Sequence, residues 1–398
     1  MGESPDPPLG DHHRGMRILV AGGSISGLAT AVALGRRGHH VVVLEQRPVF
    51  TEGGLGVRLV PRTFQLLDQL GVGDAVRERS LMIDDFHVMD GSTGELVTSV
   101  ALPGCRRRSC PAHATAHRLD VYEPLLEACW DVGSVQLRTD SRAVGYTQHG
   151  ESVTVALADG RTVTGDALIL ADGARSIAPR DSEWAGDVSE GEVAVYRTVV
   201  PMESAVGARQ EAAATSWVGS GWHVSHYPLP DYGYLSISAT RHCHTGARLF
   251  GARLDLEQVL AAFPEIGYAA RNVLTMGEYW RAWTVRRREK TSTWASGRIA
   301  LVADTAHPAR LLEASGVHHA LEDAVALGES DTSGAGVRGW LADYHARRSE
   351  QVRQVHAEIR SGHRHCDEAG GRTLAPHFSS PDTAPNCPKP LLTSGLRS

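Results

Sequence analysis

A strand–turn–helix–strand pattern near the N-terminus constrains the fold of this chain more than any other feature. Residues 17–21 (RILVA) form a short apolar run, as a buried strand does, and a turn with three glycines follows them directly. Residues 26–37 predict a helix with small residues on its inner face, ended by Gly38, and residues 40–45 (HVVVLE) predict a second buried strand. The pattern predicts a βαβ unit of the kind found in nucleotide-binding α/β domains.

The turn between the first strand and the helix has the spacing Gly22-x-Ser24-x-x-Gly27, a dinucleotide-binding fingerprint whose middle glycine is a serine. Gly22 suits a tight turn, a small residue at 24 lets the backbone approach a pyrophosphate, and Gly27 allows close helix–strand packing. The helix N-terminus offers N–H groups and the positive end of its dipole. Glu45 ends the second strand, where a carboxylate can accept hydrogen bonds from ribose hydroxyls. We expect an adenine dinucleotide here; the alternative is a structural βα turn.

Composition argues against several other classes of protein. The 398 residues carry 40 basic and 46 acidic side chains, a net charge of −6, which argues against nucleic acid or an anionic membrane as the main partner. Apolar runs stay shorter than the roughly 18 residues of a membrane span. Six cysteines include no CxxC pair, so the sequence predicts neither a disulfide framework nor a metal site. We expect a cytoplasmic protein of two or three domains, either a monomer or a homodimer.

Three later segments carry further motifs. Residues 165–176 read GDALILADGARS, residues 298–308 read RIALVADTAHP, and residues 316–327 read GVHHALEDAVAL. Together with the N-terminal turn, in this order and at these distances, they resemble the FAD-dependent aromatic hydroxylases of the para-hydroxybenzoate hydroxylase fold. These are single-component flavoprotein monooxygenases, and salicylate hydroxylase-like enzymes are the nearest type. The resemblance covers about residues 16–360.

The resemblance implies which residues contact FAD. The ADP half would be held by Gly22, Ser24, Gly27 and Glu45. The flavin half would be met by Arg118, which reaches the flavin side, by Asp304, which hydrogen-bonds the ribityl chain, by Pro308, which lies against the flavin ring, and by Gly316 and Val317, which offer backbone near the pyrimidine edge. Asp172 belongs to an Asp-Gly motif that lies beside FAD and is linked to the step with NADPH or NADH.

The chain departs from the family pattern near the flavin. The usual Gly-Asp is here Ala303–Asp304. Where the family has a glycine-rich loop that ends in Gly-x-Asn, only Gly316 remains and His318 replaces the asparagine. These changes bear on how the flavin is positioned more than on the fold.

The resemblance also implies the reaction. NADH or NADPH reduces FAD, the reduced flavin forms a C4a-hydroperoxide with O2, and a phenolic or polyketide-like aromatic substrate accepts one oxygen atom. A general base is expected near the phenol. The candidates lie on two strands and are His223, His226, Tyr227, Tyr196 and Arg197, the last also as an anchor for a carboxylate. Strand alternation places His223 and His226 on opposite faces, and we favour His226 as the base.

Two other functions stay open from the sequence. One is an FAD-dependent oxidase, epoxidase or rearrangement enzyme of secondary metabolism. The other is a degenerate flavoprotein that acts as a non-catalytic accessory or binding protein, which the changes at Ala303 and His318 would favour.

The fold class that the resemblance implies is α/β. A Rossmann-like FAD-binding domain, residues 16–82, 105–185 and 277–330, would be interleaved with a substrate domain on a mostly antiparallel sheet, residues 83–104 and 186–276. C-terminal helices would occupy residues 331–369. We expect residues 1–15 and 370–398 to be disordered, because the C-terminal tail is rich in Pro, Ser and Thr and has no periodic apolar pattern.

Overall fold

The computed structural model describes most of the chain between Gly15 and Gln351. The described residues are 15–102, 112–173, 176–178, 184, 187–205, 212–243, 249–290, 293–306, 316–330 and 336–351. The tails predicted to be disordered lie outside them, apart from Gly15, and so does Pro308. None of the helices within these ranges combines the length and the apolar character that crossing a bilayer requires.

Strands and helices are numbered along the chain. The strands are β1 (Arg17–Ala21), β2 (His40–Leu44), β3 (Gly56–Leu59), β4 (Leu81–Met82), β5 (Asp85–Asp90), β6 (Leu96–Ala101), β7 (Ala114–His117), β8 (Val135–Arg138), β9 (Ala143–His149), β10 (Ser152–Leu157), β11 (Thr162–Gly165), β12 (Ala167–Leu170), β13 (Asp187–Pro201), β14 (Ala213–Gly219), β15 (Trp222–Leu229), β16 (Tyr234–Cys243), β17 (Phe250–Leu254), β18 (Trp280–Lys290), β19 (Ala295–Ser296) and β20 (Ile299–Leu301). The helices are α1 (Ile25–Gly35), α2 (Pro61–Gln69), α3 (Gly73–Glu78), α4 (Arg118–Asp131), α5 (Leu256–Ala261), α6 (Tyr268–Thr275), α7 (Gly316–Glu329) and α8 (336–351), with 3-10 turns at Pro230–Tyr232 and Ala303–Thr305.

A six-stranded sheet contains the predicted βαβ unit. Its order is β19-β20-β12-β1-β2-β8, and every neighbouring pair except β19–β20 is parallel. Helix α1 is buried along its whole length and packs against α4 and α7. Parallel strands covered in this way need apolar side chains toward both faces, which is why β1, β2 and β12 read as continuous apolar runs.

The largest sheet has eight strands in the order β17-β18-β13-β16-β15-β14-β5-β6. Only β14 and β5 pair in parallel; the other neighbours are antiparallel. One face packs on α5 and α6 through an apolar cluster that includes Tyr196, Trp222, Phe263 and Trp280. Two three-stranded sheets, β3-β7-β4 and β11-β10-β9, complete the described structure.

The predicted fold class is confirmed, with one correction to the sheet assignment. The sequence predicts that residues 277–330 belong to the FAD-binding domain, but β18 pairs with β13 and β17 and is therefore a strand of the eight-stranded sheet. The sequence of β18 alternates as any half-buried strand does, so only its pairing partners show which sheet it joins. The remaining domain boundaries stay predictions.

Candidate functional site

The glycine turn after β1 is shaped by two close backbone approaches. Gly22 has φ +111°, and a Cβ built there would lie 2.5 Å from the carbonyl oxygen of Ala171. A Cβ on Gly27 would lie 1.8 Å from the carbonyl oxygen of Gly22. Only glycine fits either position. Ser24 precedes α1 in an extended conformation, and its side chain does not cap the helix. The first amides of α1 are therefore left to bind phosphate oxygens, as the fingerprint predicts.

Glu45 lies beside this turn at the end of β2. Its carboxylate is buried and accepts hydrogen bonds from the Gly23 N–H (2.8 Å) and the Arg47 N–H (2.9 Å). Both oxygens are thereby held in place, and each retains a lone pair for a ribose hydroxyl. The accepting carboxylate of Glu45 and the open helix terminus, which donates, fit the ADP half of FAD.

Asp172, Asp304 and Gly316 meet at the carboxyl ends of β12 and β20. Burial raises the pKa of Asp172, although hydrogen bonds that include the Ile177 N–H (2.8 Å) act in the opposite direction. The Gly173 N–H donates to Thr305 Oγ1 (2.8 Å), which ties the two strand ends together. A Cβ on Gly316 would lie 3.9 Å from Asp304 Oδ1. Ligands of open α/β sheets bind at this edge.

Val317 is buried in the first turn of α7, directly after Gly316. The assigned residues that the structure describes at this edge, Asp172, Asp304, Gly316 and Val317, are thus close in space as the resemblance implies. Their individual roles toward FAD stay predictions.

Arg118 begins helix α4. His117 caps the helix, since its Nδ1 accepts from the Leu119 N–H (3.2 Å), while Asp120 accepts from the His117 N–H (2.7 Å). Arg118 Nε donates to Glu52 Oε1 (3.2 Å), and a Cβ on Gly54 would lie 2.1 Å from Arg118 Cδ. The capping box and the glycine together fix where the arginine side chain leaves the helix.

The face of the eight-stranded sheet opposite α5 and α6 is polar. Arg197 on β13 pairs with Ser238 on β16, which pairs with Ser225 on β15, and paired residues project to the same face. Tyr227, two residues after Ser225, projects there as well. A Cβ on Gly56 of β3 would lie 2.5 Å from Tyr227 Cε2, so this face meets the three-stranded sheet.

Three arginines, Arg58, Arg118 and Arg197, place positive charge near Tyr227. Burial lowers the pKa of Arg197, as does the charge of Arg118, whereas Tyr227 and Asp304 raise it. Burial also lowers the pKa of Arg58, whose guanidinium lies 4.9 Å from the ring centroid of Phe86. Within the described part of the chain, the Arg197 guanidinium donates no hydrogen bond and forms no ion pair. A confined cation without such a partner is suited to an anionic ligand.

Burial raises the pKa of Tyr227, although the charges of Arg197 and Arg58 and a hydrogen bond with Ser236 oppose this effect. Its phenol is therefore neutral at neutral pH and can hold or pass a proton at Oη. Tyr227 was one of several candidates in the sequence. Arg58 was missed, although an arginine inside the short apolar strand GVRL is a signal that could have found it.

Two predicted catalytic residues lie on the wrong face for this site. Tyr196 packs edge-on against Phe263 with ring centroids 5.5 Å apart, inside the apolar cluster. His226 is buried on the same face, 6.4 Å from the Trp217 ring. Our preference for His226 as the base is therefore corrected: alternation separates it from Tyr227 and Arg197.

His223 lies on the polar face with Arg197 and Tyr227. Its Nε2 is 2.5 Å from Ser216 Oγ, and the imidazole is partly exposed. The predicted opposition of His223 and His226 thus agrees with the strand register, but the side of the sheet that meets the site is the one that carries His223.

Comparisons with known proteins agree with the motifs. A family model described as FAD binding domain matches residues 16–358. A 3-hydroxybenzoate 6-hydroxylase of Polaromonas naphthalenivorans (strain CJ2) is 36% identical over 325 residues, covering 81% of this chain and 80% of the relative. A 3-amino-4-hydroxybenzoate 2-monooxygenase of Streptomyces platensis is 26% identical over 354 residues, covering 87% and 88%. A salicylate hydroxylase substrate complex has the same fold, with TM-score 0.69 and 21% identity over 86% of this chain and 87% of the other.

Proposed function

Since the chain belongs to the FAD binding domain family and is an FAD-dependent aromatic hydroxylase, we propose that its substrate is a hydroxybenzoate. NADH or NADPH and O2 are the proposed co-substrates, and the cytoplasm is the proposed location. A monomer or homodimer is the proposed oligomeric state. The resemblance to 3-hydroxybenzoate 6-hydroxylases supports oxygen insertion at the ring carbon para to the phenol.

The observation that carries this proposal is the Arg197 guanidinium on the polar face of the eight-stranded sheet. Burial lowers its pKa, and it has no hydrogen-bonded counter-ion among the described residues. A benzoate carboxylate would supply that charge through two parallel N–H···O bonds. Arg58 and Arg118 lie near Tyr227 as well and add to the positive potential of the site. The site therefore favours an anion over a neutral phenol.

Tyr227 is the proposed partner of the substrate hydroxyl. Its Oη lies among Arg58, Arg197 and Ser236, groups that stabilise negative charge on a phenol. A phenol that gives up its proton becomes electron-rich at the ortho and para carbons, which is what electrophilic oxygen transfer requires. Tyr227 would accept this proton at Oη only as its own phenolic proton passes on, and His223 is a proton acceptor on the same face.

The cofactor would be held by the glycine turn, Glu45, Asp304 and the N-terminus of α7. When bound, FAD supplies the redox chemistry: it accepts hydride from the nicotinamide and activates O2. The chain itself binds and orients both partners and excludes water from the reacting ring.

The test is NAD(P)H oxidation by the FAD-loaded enzyme with 3-hydroxybenzoate, compared with 3-hydroxybenzyl alcohol, which lacks the carboxylate. We expect stimulation by the acid and a product heavier by one oxygen. Arg197→Met should raise KM for the acid about 10- to 100-fold, the worth of one charged hydrogen-bonded contact, and change the response to the alcohol little. Tyr227→Phe should lower kcat about 10- to 100-fold with KM nearly unchanged.

Arg161→Met serves as the matched control, since Arg161 pairs with exposed Asp159 in a surface turn. An equal loss for acid and alcohol in Arg197→Met would contradict the carboxylate anchor. A purified protein that stays colourless with FAD would favour the accessory-protein alternative. Flavin-bound protein that oxidises NAD(P)H without forming a hydroxylated product from any hydroxybenzoate would favour the oxidase or rearrangement alternative.

A further inference from the structure

Ala303 has a backbone conformation that suits glycine better. Its φ is +52°, in the left-handed region, and it immediately precedes Asp304, the predicted partner of the ribityl chain. An alanine held there costs about 1 kcal/mol relative to its preferred conformations. The chain must therefore contain an interaction that holds this residue against its preference.

Asp323 on α7 supplies that interaction. Its Oδ2 accepts the Ala303 N–H at 2.7 Å, and its side chain is 0% exposed. A buried carboxylate that accepts a backbone N–H orients the peptide group strongly, because the bond is charge-assisted and shielded from water. The peptide before Ala303, and hence the direction in which Asp304 leaves β20, is tied to α7.

Arg348 on α8 neutralises this carboxylate. Its Nε donates to Asp323 Oδ1 at 2.7 Å, and its Nη2 donates to Glu322 Oε2 at 3.0 Å, with the arginine side chain only 1% exposed. Burial works against the charge of Arg348, but Asp323 and Glu322 more than compensate and raise its pKa. Without Arg348, the buried Asp323 carboxylate would lose the positive charge beside its Oδ1, which is costly enough to protonate or to displace it.

The same ion network reaches the first turn of α7. His318 Nε2 lies 3.3 Å from Glu322 Oε1, and His318 Nδ1 lies 3.2 Å from Thr63 Oγ1 on α2. Tyr344, one turn before Arg348, donates its hydroxyl to the Leu301 carbonyl (2.9 Å) at the end of β20. Helix α8 therefore contacts both β20 and α7, the two elements that carry Asp304 and Gly316.

We propose that Asp323 and Arg348 are positioning residues for FAD: they hold Ala303 in its left-handed conformation and thereby set the place of the Asp304 carboxylate relative to the N-terminus of α7. Neither side chain touches the cofactor in this scheme. The inference rests on the proposed role of Asp304, and it is independent of the identity of the aromatic substrate.

A double-mutant cycle between Ala303 and Asp323 tests this role. The FAD dissociation constant is measured by flavin fluorescence for the parent protein, Ala303→Gly, Asp323→Asn and the double variant. Asp323→Asn should weaken FAD binding about 10- to 100-fold, since it replaces a charged acceptor and confronts Arg348 with an amide. In the Ala303→Gly background, Asp323→Asn should raise the FAD dissociation constant less than about threefold, because glycine adopts positive φ without a Cβ penalty.

Arg347→Met is the matched control, since Arg347 is the neighbouring arginine on α8 but pairs with Asp343 at the surface. Its FAD affinity should equal that of the parent. If Asp323→Asn does not fold, Arg348→Lys keeps the charge and loses the two-point contact; it should weaken FAD binding and be rescued by Ala303→Gly. Equal losses of FAD affinity in both backgrounds would overturn the positioning role and leave only a packing role.

Asp304→Ala separates this inference from the assignment beneath it. We expect Asp304→Ala to lose FAD. Unchanged FAD affinity in that variant would overturn the ribityl assignment of Asp304 and with it the reason for positioning Ala303. Loss of FAD in Asp304→Ala without coupling between Ala303 and Asp323 would overturn the positioning role alone.

Discussion

Arg197 and Tyr196 are adjacent in the chain, yet their side chains lie in opposite environments. Arg197 projects toward Tyr227 and the positive cluster, and Tyr196 projects into the apolar core against Phe263. The same division separates Tyr227 from His226 on β15, which lies beyond β16 in the sheet. Strand geometry makes this separation unavoidable, since successive side chains point to opposite faces.

His226 should influence stability and its pH dependence instead of catalysis. Burial, with a smaller contribution from His87, lowers its pKa from 6.5 to about 4. Between about pH 6.5 and 4, His226 is therefore protonated in the unfolded chain and neutral in the folded chain. The stability contributed by neutral His226 is present above about pH 6.5 and is lost as the pH falls toward 4, by about 1.4 kcal/mol per pH unit.

The measurement is the free energy of unfolding at several pH values for the parent, His226→Gln and the exposed-site control His149→Gln. His226→Gln should flatten the profile between pH 6.5 and 4, whereas His149→Gln should follow the parent. Parallel profiles for His226→Gln and the parent would show that the imidazole is not held neutral by the fold.

At the scale of elements, local chemistry explains most boundaries. Residues 256–275 form two helices, α5 and α6, because Pro264 between them lacks the N–H that a continuous helix needs. Asp255 caps the first through the Gln258 N–H (2.8 Å). Helices α2 and α3 are likewise separated at Gly71, whose φ is +70°.

The βα turn after β1 leaves no room for a side chain at Gly22. Gly22→Ala should abolish FAD binding and destabilise the fold by more than about 2 kcal/mol, since a Cβ would clash with the Ala171 carbonyl and φ is +111°. Gly133→Ala is the matched control, because a Cβ there meets nothing within 4 Å. Thermal unfolding and FAD fluorescence report both effects. A Gly22→Ala protein that binds FAD like the Gly133→Ala protein would refute the proposed phosphate turn.

At the scale of the whole molecule, the eight-stranded sheet meets the three-stranded sheet β3-β7-β4 and the start of α4. Thr115 Oγ1 donates to the Pro228 carbonyl (2.9 Å), and Tyr227 lies against Gly56. The turn after β15 adds Tyr232, whose hydroxyl donates to Asp120 Oδ1 (2.6 Å) and whose ring stacks on His117 at 4.5 Å. These contacts hold the polar face next to Arg118.

Tyr232→Phe tests this junction. It removes the hydroxyl donor and keeps the ring, so we expect a loss of about 1 kcal/mol in the free energy of unfolding, the net worth of one partly exposed hydrogen bond. Tyr234→Phe, two residues along and more exposed, should change the free energy of unfolding little. Chemical denaturation measures both. Indistinguishable losses would mean that the Tyr232–Asp120 contact does not stabilise the junction.

The family, the βαβ turn and the order of the flavin motifs can be identified from the sequence alone. These depend on local requirements, such as a glycine where a Cβ cannot fit or an acid at a strand end, and such requirements are visible in a few adjacent residues. Which face of β13 and β15 meets the three-stranded sheet β3-β7-β4 follows from the fold, because a period of two separates the two faces of a strand and does not show what covers either of them. The fold also shows how Asp323 and Arg348 hold Ala303. Asp323 follows Ala303 by 20 positions and Arg348 follows it by 45, so no local sequence pattern joins them.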